Sequence, residues 1–338
     1  MKIKHNISLK DYNTFGIAAK AKHFVEISDV AVLKKALKLS EYPEKFIISG
    51  GSNMLITRDI EALVLHINMK GIEVVDEDEH SVVLKVMAGE NWHDLVLWTL
   101  DQGYGGLQNL SLIPGNTGTA PIQNIGAYGV ELKDVFESCE AVEIATQEMR
   151  TFSKEACEFG YRDSIFKNSA KGKYIISSVN LRLTKKGHVL NTSYGAIEQE
   201  LEDGNITAPT IKDVSNAVIA IRKRKLPDPR ELGNSGSFFK NPVLDLSEFL
   251  KFQEKHPEAP HYKVSDNEYK LPAGWLIEQC GFKGRRYGDA GVHKHQALVL
   301  VNYGNSSGAE ILNLASKIQD TVLEKFGIKI LPEVNIIS

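Results

Sequence analysis

The sequence of 338 residues predicts an α+β fold. Short apolar runs rich in β-branched residues are typical of strands, and longer segments with apolar residues at helical spacing predict amphipathic helices. Both kinds of segment occur along the chain, but they do not alternate regularly as strand, helix, strand. Because a doubly wound parallel sheet requires that alternation, the order of the segments favours a fold in which strands and helices mix irregularly.

Strands are predicted where apolar and β-branched runs are bounded by turn residues. All of these runs are far shorter than the roughly 20 apolar residues that a membrane-spanning helix needs. In chain order, the predicted strands cover Phe46–Ile48, Leu63–Ile67, Val82–Val86, Ala141–Ile144, Tyr174–Leu183, Ala297–Val301 and Val334–Ile337.

Helices are predicted where a capping residue precedes a periodic apolar face. Ser28 is the expected N-cap of the first helix. Pro227 ends the third because proline cannot continue a helix, and Gly327 ends the fourth as a left-handed cap. We expect Trp92 and Trp98 of the second helix to belong to the core rather than to stack on a ligand. The predicted helices cover Ser28–Leu39, Asn91–Leu100, Ile211–Lys225 and Ala309–Phe326.

Composition and charge exclude several classes of protein. The chain is 42% hydrophobic and 25% charged, which is ordinary for a globular protein and excludes a disordered one. Its 40 Lys and Arg residues against 43 Asp and Glu leave a net charge of −3, so we expect no nucleic-acid partner. The basic clusters Arg222–Lys225 and Arg285–Arg286 suit a small anion better than a polymer. Met1–Asn6 lacks the apolar core of a signal peptide, so we expect a cytoplasmic protein without a membrane partner.

Cysteine and histidine usage predicts a reduced protein without a metal. Cys139, Cys157 and Cys280 are odd in number and show no CxxC spacing, which is typical of a reducing compartment. His293 and His295 have the spacing of a metal-binding pair on a strand, but no third ligand is evident near them. We therefore expect structural histidines and no metal.

Two glycine-rich segments are the most informative motifs, since the GxGxxG, GxxxxGK[ST] and HExxH motifs are absent from the sequence. Gly50–Met54 follows a predicted strand, and its two glycines allow backbone N–H groups to turn inward as an anion-binding nest. Ile113–Gly129 contains four glycines and two prolines, which predict a rigid loop whose backbone approaches a ligand closely. An ordinary surface loop is the alternative. Together the two segments suit a diphosphate held by main-chain donors.

Three single residues are candidates for chemistry, and each has a structural alternative. Arg162 lies among polar residues, where a guanidinium suits a carboxylate or a phosphate or else forms a surface ion pair. Ser237 follows Gly236 and precedes two phenylalanines, so it is either an isolated reactive hydroxyl or a turn residue. Glu333 begins a predicted strand, where burial would favour its protonated form, or it is an exposed charge at the strand end.

Seven segments occur in an order and at separations that closely resemble the UDP-N-acetylenolpyruvoylglucosamine reductase family, the flavoenzymes of peptidoglycan precursor synthesis. The most specific pieces are Pro121–Leu132, Tyr161–Lys167 and Gly236–Pro242. The resemblance extends over nearly the whole chain. The segments are Gly50–Leu55, Ile113–Leu132, Tyr161–Lys167, Lys225–Pro229, Gly233–Pro242, Ala273–Gly281 and Leu331–Val334.

The resemblance implies an FAD-binding domain of the PCMH type, like that of vanillyl-alcohol oxidase, followed by a smaller α+β substrate-binding domain. It implies that residues 1–185 form the FAD-binding domain with two lobes, and that residues 186–226 form a connecting segment with a helix. Residues 227–338 would form the substrate-binding domain, with the last strand returning to the FAD-binding domain. The residues themselves favour a boundary at Leu226–Arg230, where two prolines stiffen the chain.

The resemblance also implies FAD as cofactor and NADPH as reductant. Both glycine-rich segments fall where the family wraps the FAD diphosphate. Neither segment contains histidine or cysteine, so we expect the FAD to be bound without a covalent bond. The implied cofactor-binding residues are Gly50, Gly51, Ser52, Asn53, Met54, Pro114, Gly115, Gly118, Thr119, Gln123, Asn124, Gly126, Ala127 and Tyr128.

The implied reaction is the NADPH-dependent reduction, through FAD, of UDP-N-acetyl-3-O-(1-carboxyvinyl)-glucosamine to UDP-N-acetylmuramate. By resemblance, Arg162 and Glu333 stabilise the negative charge that develops on the carboxylate side, the arginine as a cation and the glutamate as a neutral donor. Ser237 resembles the family's proton donor. The implied substrate-binding residues are Tyr161, Tyr194, Lys225, Asn241, Tyr262, Lys283 and Gln296.

Tyr194 and Tyr262 match tyrosines of the larger family subtype. Tyr262 lies in an insert, Leu244–Tyr269, which we expect to close over the substrate diphosphate as a lid. The sequence departs from the family pattern at Ala120, where serine is frequent, and at His295, where glutamine is expected. A flavin oxidase of the same fold and a non-catalytic flavin or nucleotide-sugar binder stay open as alternatives. We expect a monomer.

Overall fold

The structure is a computed structural model that describes residues 1–194 and 196–338. The chain divides into two compact units, and each unit is built from several separate stretches of sequence. The first unit consists of Met1–Ile7, Ala21–Gly50 and Ile60–Arg224. The second unit consists of Ser8–Lys20, Gly51–Asp59 and Lys225–Ser338.

The described strands are short except for those at the centre of the first unit. They are β1 (Lys4–Ser8), β2 (Lys20–Ile27), β3 (Lys45–Ile48), β4 (Met54–Ile56), β5 (Ile60–Ile67), β6 (Ile72–Glu77), β7 (Ser81–Met87), β8 (Gly126–Ala127), β9 (Val130–Glu131), β10 (Phe136–Glu143), β11 (Met149–Ser153), β12 (Tyr174–Thr184), β13 (Val243–Asp245), β14 (Tyr262–Ser265), β15 (Glu268–Lys270), β16 (Arg286–Tyr287), β17 (Ala290–Val292), β18 (Leu300–Asn302) and β19 (Asn335–Ile337).

The described α-helices range in length from 7 residues in the shortest two to 19 residues in the C-terminal helix. They are α1 (Val30–Leu37), α2 (Trp92–Asp101), α3 (Ile197–Asp203), α4 (Ile211–Lys225), α5 (Leu246–Lys255), α6 (Ala273–Gln279) and α7 (Gly308–Phe326). Short 3-10 helices cover Lys10–Tyr12, Gln108–Leu110, Thr117–Gln123, Leu132–Asp134 and Ile165–Lys167. In the part of the chain that the structure describes, no helix combines the length and the apolar character that a bilayer crossing requires.

The first unit contains two larger sheets, each with its own hydrophobic core. One has the strand order β1-β2-β5-β3, with β5 parallel to both β2 and β3. Helix α1 contributes Leu33 and Ala36 to its core. The other sheet is antiparallel, with the order β11-β10-β12-β7-β6, and helix α2 buries Trp92 and Leu95 in its core. Helices α3 and α4 form a third, smaller apolar cluster against which Tyr128 packs.

The second unit contains smaller sheets joined by helices α5 to α7. Strands β16, β17 and β18 form one antiparallel sheet, and the predicted insert forms β13, α5, β14 and β15. The C-terminal strand β19 runs parallel to β4, which belongs to the stretch Gly51–Asp59. Helix α7 begins with a capping box between Ser307 and Glu310 and ends at Gly327, whose φ is 68°. The predicted left-handed cap at Gly327 is therefore confirmed.

Most of the predicted elements are confirmed, and the exceptions have local causes. The N-cap of helix α1 lies one residue later than predicted, because Asp29 rather than Ser28 accepts the hydrogen bond from Val32 N, at 2.8 Å, and the helix covers Val30–Leu37 instead of Ser28–Leu39. The predicted strand Ala297–Val301 is wrong at its start, since Val299 N bonds back to Gln296 O at 3.0 Å in a turn and the strand begins at Leu300.

The segment Ile113–Gly129 contains more regular structure than the rigid loop that was predicted. A 3-10 helix covers Thr117–Gln123, and Gly126–Ala127 pairs with Val130–Glu131 as a short hairpin. Pro121 is tolerated inside this helix because 3-10 helices are used in short pieces and need few internal hydrogen bonds.

Candidate active site

Backbone packing fixes the long glycine-rich segment in the first unit. Gly118 N donates to Ala88 O at 2.9 Å, and a Cβ added to Gly118 would lie 2.4 Å from the Ala88 Cβ. A Cβ added to Gly50 would lie 2.8 Å from the Gly115 Cα. Both distances are shorter than real Cβ contacts, so only glycine allows this packing. Gly50, Gly115 and Gly118, which belong to the two predicted segments, therefore lie in one compact region.

A cavity of about 120 Å³ lies beside this region, within the first unit. Ser49, Gly118 and Thr119 line its polar part. A mostly apolar lining with a few polar groups is the usual character of a cofactor site, and two of these polar residues, Gly118 and Thr119, belong to the long glycine-rich segment. Its apolar lining includes Ile47, Ile67, Ala88, Ile122, Phe166, Ala170, Ile175 and Ile176.

Arg162 lies directly against the end of the glycine-rich segment. Its Nη2 atom donates a hydrogen bond to Gly126 O, and its guanidinium carbon lies 5.3 Å from the centre of the Tyr161 ring. Asn124 Nδ2 donates to Gly160 O at 3.0 Å and so ties the Arg162 turn to the same segment. Among the described residues, Arg162 forms no ion pair, so the alternative of a surface ion pair is wrong.

Three residues in this region have a left-handed backbone without being glycine. The φ angles of Asn124, Tyr128 and Arg162 are 43°, 51° and 55°. Such conformations cost about 1–3 kcal/mol each and persist only where surrounding contacts hold them, as they often do at functional sites. Asn109 Nδ2 holds the Tyr128 carbonyl at 3.1 Å, and Asn124 Oδ1 accepts from Lys133 N at 3.0 Å.

Arg222 was not among the predicted site residues, although it belongs to a basic cluster that was predicted to suit a small anion. It lies on α4, near enough to the Tyr128 hydroxyl and the Arg162 guanidinium for an electrostatic interaction with both. Burial lowers the pKa of Arg222 and raises the pKa of Tyr128. The sequence signal was the cluster itself, but a run of basic residues does not reveal which member faces inward.

In the second unit, Ser237 and Glu333 lie on two segments that pair with each other. Glu333 N donates to Phe238 O at 2.8 Å, and Phe239 forms a β-bridge with Pro332. Ser237 and Glu333 are both half-buried. The structure therefore brings these two predicted catalytic residues together within one unit.

The Ser237 turn is fixed by an asparagine that the prediction did not include. Asn234 is buried, and its Oδ1 accepts from Gly236 N at 2.9 Å. Its Nδ2 donates to Leu232 O at 2.8 Å and to Pro227 O at 3.2 Å. Since Gly236 has a φ of 68°, these bonds hold the chain in the left-handed turn that precedes Ser237.

The first glycine-rich segment crosses the division between the two units, which falls between Gly50 and Gly51. In the second unit, Gly51 O accepts from Thr14 N at 3.0 Å. The next residues lie beside the C-terminal strand, where Asn335 Nδ2 donates to Asn53 O at 2.8 Å. The predicted residues Gly51–Met54 are therefore held by main-chain carbonyl contacts from two distant parts of the sequence.

Three of the predicted substrate residues of the second unit lie around helix α6. Asn241 Oδ1 accepts from the first N–H of α6 at 2.9 Å. Gln296 Oε1 is near the same end of the helix, 3.4 Å from a Cβ placed on Gly274. Lys283 lies beyond the other end and donates to Glu278 Oε1 at 2.8 Å.

The predicted tyrosines are exposed. Tyr161 and Tyr194 in the first unit are 72% and 59% exposed, and the Tyr194 ring meets the Tyr128 ring edge-on at 6.5 Å. Tyr262, on β14 of the second unit, is 60% exposed. Lys225 is exposed at the end of α4. Large exposed aromatic side chains are available to a ligand.

Comparison with known proteins agrees with these observations in both units. Residues 21–153 match the family model of the FAD binding domain, and residues 228–337 match the C-terminal domain of UDP-N-acetylenolpyruvoylglucosamine reductase. A UDP-N-acetylenolpyruvoylglucosamine reductase from Flavobacterium johnsoniae is 61% identical over 337 residues, which cover 100% of both chains. The chain belongs to the UDP-N-acetylenolpyruvoylglucosamine reductase family. The predicted family is thereby confirmed.

Other reductases of this name are similar over the same length. The protein from Amoebophilus asiaticus is 50% identical over 340 residues and 100% of both chains, and that from Pseudomonas putida is 48% identical over 335 residues and 98% of both.

Solved structures confirm the predicted fold class. The crystal structure of the reductase from Thermus caldophilus has a TM-score of 0.71 at 22% identity and covers 100% of both chains. A 6-hydroxy-D-nicotine oxidase from Arthrobacter nicotinovorans has a TM-score of 0.52 at 10% identity, covering 97% of this chain and 86% of its own. At these identities, the likeness concerns the fold. The fold is an FAD-binding domain followed by the C-terminal domain of the reductase family.

Proposed function

We infer that the chain catalyses the NADPH-dependent reduction of UDP-N-acetyl-3-O-(1-carboxyvinyl)-glucosamine to UDP-N-acetylmuramate in peptidoglycan biosynthesis. The observation that carries this conclusion is the 61% identity over the full length of the Flavobacterium johnsoniae reductase. The FAD binding domain matched over residues 21–153 agrees with a flavoenzyme. The chain is therefore an FAD-containing oxidoreductase.

The two glycine-rich segments are proposed to hold the FAD without a covalent bond. Support comes from the close packing of Gly50, Gly115 and Gly118 and from the cavity of about 120 Å³ beside them. Without side chains in the way, the backbone amides of Gly50–Met54 and Pro114–Tyr128 are able to face a diphosphate. FAD held by these segments would supply the hydride chemistry that connects NADPH to the vinyl CH2 carbon of the substrate.

Arg162 is proposed to stabilise the negative charge that develops on the carboxylate side of the substrate. The hydrogen bond to Gly126 O and the contact with the Tyr161 ring fix the guanidinium in place before the substrate arrives. A preorganised cation stabilises a developing charge without having to reorganise during the reaction.

Ser237 is proposed to donate the proton from its Oγ to the carbon that bears the carboxylate. The Asn234 contacts hold the turn from which this hydroxyl projects. Glu333 lies on the segment paired with Phe238 and is proposed to help as a neutral hydrogen-bond donor to the same carboxylate side.

Charged, amide and aromatic side chains are proposed to bind the nucleotide-sugar. Lys225 and Lys283 supply positive charge for its diphosphate, and Asn241 and Gln296 supply amide groups near the start of α6. Exposed hydroxyls and rings come from Tyr161, Tyr194 and Tyr262. The insert that carries Tyr262 is proposed to close over the diphosphate as a lid.

The predicted domain limits are kept as proposals, with 1–185 as the FAD-binding domain, 186–226 as the connecting segment and 227–338 as the substrate-binding domain. A cytoplasmic location is likewise proposed, because the three cysteines lack the spacing of a disulfide framework, which is typical of a reducing compartment. The expected monomer is also kept as a proposal.

The direct test measures NADPH oxidation without oxygen and identifies the product by mass spectrometry. We expect NADPH oxidation to require the enolpyruvyl nucleotide-sugar and to yield a product heavier by two hydrogen atoms. In a parallel assay in air, a flavin oxidase of the same fold would instead consume oxygen without the enolpyruvyl acceptor. A non-catalytic binder would show neither reaction, and either outcome would overturn the proposal.

A further inference from the structure

The segment that carries Tyr194, residues 188–194, lies between β12 and α3 and forms neither a helix nor a strand. Among the described residues, its backbone groups pair with no other backbone group. Leu190 packs against the core of the antiparallel sheet, and His188 Nδ1 lies 2.7 Å from Thr184 Oγ1 at the start of the segment. The position of Tyr194 therefore depends on the few side chains that hold this segment.

Two consecutive buried amides bind the backbone of the segment. Gln108 and Asn109 are 1% and 0% exposed and lie in the 3-10 helix Gln108–Leu110. Gln108 Nε2 donates to Val189 O at 3.2 Å. Asn109 Nδ2 donates to Asn191 O at 2.7 Å. Side-chain donors of this kind satisfy backbone carbonyls in loops, where no ladder supplies partners.

Asn109 also binds the end of the long glycine-rich segment. Its Nδ2 group donates a second hydrogen bond, to Tyr128 O at 3.1 Å, so both amide hydrogens are used. The Tyr128 and Tyr194 rings meet edge-on at 6.5 Å. A Cβ placed on Gly129 would lie 3.4 Å from the Tyr194 Cβ. One planar amide therefore links the segment that carries Tyr194 to the segment that carries Tyr128.

The 3-10 helix that carries the two amides is itself held by two α-helices. Trp92 Nε1, on α2, donates to Leu110 O at 3.0 Å. At the next residue, Ser111 Oγ lies 2.7 Å from Ser215 Oγ on α4, and both serines are buried. These contacts make the short helix a rigid support for the amides.

Stability alone does not explain an amide side chain at Asn109. Its Oδ1 atom is buried and has no hydrogen-bond partner in the described part of the chain. A buried acceptor without a partner lowers the free energy of unfolding. Such unfavourable local choices are expected mainly at functional sites. The amide is explained instead by the two carbonyls that its N–H groups hold.

We propose that Asn109, supported by Gln108, is a positioning residue that holds Tyr194 in place for the nucleotide-sugar. This inference rests on the proposed function, in which Tyr194 binds that substrate. A segment that is already held does not have to be ordered when the ligand arrives, so less of the binding free energy is lost. Asn109 then acts through Tyr194 rather than by its own contact with the substrate.

The test is a double-mutant cycle on the FAD-loaded enzyme, with the dissociation constant of UDP-N-acetylmuramate measured by titration calorimetry. Asn109→Ala should weaken binding roughly 5- to 10-fold, the contribution of about one hydrogen bond. In a Tyr194→Ala background, the same substitution should have no further effect, because the residue through which Asn109 acts is already lost.

Steady-state kinetics separates positioning of the substrate from a role in the chemical steps. Asn109→Ala should raise the KM for the enolpyruvyl nucleotide-sugar and leave kcat within about two-fold, since loss of uniform binding affects KM alone. Thr99→Val is the matched control, because the buried Thr99 hydroxyl lies in the same unit but donates to Val96 O of its own helix at 2.8 Å. It should change neither the affinity nor the KM.

Several outcomes would overturn the proposal. Effects of Asn109→Ala and Tyr194→Ala that multiply would show that Asn109 acts independently of Tyr194. An unchanged affinity in Asn109→Ala would make the amide structural, and equal weakening by Thr99→Val would assign the loss to general destabilisation. A fall in kcat larger than the rise in KM would assign Asn109 to the chemical steps.

If Asn109→Ala no longer retains FAD, the cycle is made with Gln108→Met, which removes the contact with Val189 O and leaves Tyr128 O held by Asn109. A few-fold loss of affinity that disappears in the Tyr194→Ala background is then expected, and no loss would contradict the proposal. Failure of the proposed function is seen separately, as a wild-type protein that does not turn over the enolpyruvyl substrate.

Discussion

In the first unit, the candidate cofactor residues are held by main-chain contacts, whereas in the second unit several candidate substrate residues are side chains that reach solvent. A Cβ on Gly118 would lie only 2.4 Å from the Ala88 Cβ, so that region has no room for change. By contrast, Tyr262 is 60% exposed, and Lys283 is held by one exposed ion pair to Glu278 at 2.8 Å. Surface ion pairs of this kind contribute little and exchange partners readily.

This difference teaches that the two parts of the reaction depend on different kinds of contact. Where backbone groups bind the ligand, binding is weakened by any added side-chain volume, whatever the chemistry of the added group. A side-chain site is sensitive to the loss of one hydroxyl or one charge. Ser237 combines the two, because a reactive side chain projects from a turn that Asn234 fixes through the backbone.

The largest expected effect is on turnover, at Ser237. Ser237→Ala removes the proposed proton donor, and general acids contribute typically 10²- to 10⁴-fold, so we expect kcat to fall roughly 1,000-fold. Stopped-flow reduction of FAD by NADPH in the same variant serves as the control and should be unchanged. Equal slowing of both reactions would mean that Ser237 acts on the cofactor site rather than on the substrate.

A smaller fall in kcat is expected at Arg162. A substitution by lysine separates the contribution of its positive charge from that of its planar donor geometry. Arg162→Lys keeps the charge but loses the planar donor fork, so we expect kcat to fall roughly 100-fold. Steady-state kinetics measures this change. A rise in KM alone would contradict a role in stabilising developing charge, because it would show loss of uniform binding.

The next effect concerns the backbone site itself. Gly118→Ala overpacks the contact with Ala88, and we expect FAD affinity to fall roughly 10- to 100-fold. The measurement is FAD binding by the apoprotein, followed by flavin fluorescence. Gly204→Ala is the matched control, since a Cβ there would lie at an ordinary 3.4 Å from its nearest neighbour. Equal FAD affinity in the two variants would contradict the proposal that close backbone packing at Gly118 forms the cofactor site.

The smallest effect is expected in the exposed insert. Tyr262→Phe removes one hydroxyl, and we expect the KM for the nucleotide-sugar to rise a few-fold, roughly the contribution of one neutral hydrogen bond. Tyr303→Phe is the control in the same unit. An unchanged KM would exclude Tyr262 from the substrate site and leave the proposed lid without support.

The glycine-rich backbone site was easier to predict from the sequence than the polar side chains Arg222 and Asn234. Gly50, Gly115 and Gly118 are visible as composition, because clustered glycines are typical of backbone that must turn tightly or approach another group closely. Arg222 and Asn234 were missed because their importance depends on what lies beside them in three dimensions. An arginine in a basic run usually faces solvent, whereas Arg222 is half-buried on α4, the helix that packs with Tyr128. The cap of α1 was missed for a similar reason, since Ser28 and Asp29 are both good N-caps and backbone geometry decides between them.

The central claim is that this chain passes reducing equivalents from NADPH through bound FAD to an enolpyruvyl acceptor. The most direct measurement is the visible spectrum of the purified protein under anaerobic conditions, first with NADPH and then with the enolpyruvyl nucleotide-sugar. The account predicts that the flavin absorbance bleaches on adding NADPH and returns on adding the nucleotide-sugar. A bleached protein that recovers its colour only with oxygen, or a colourless protein that does not take up FAD, would contradict it.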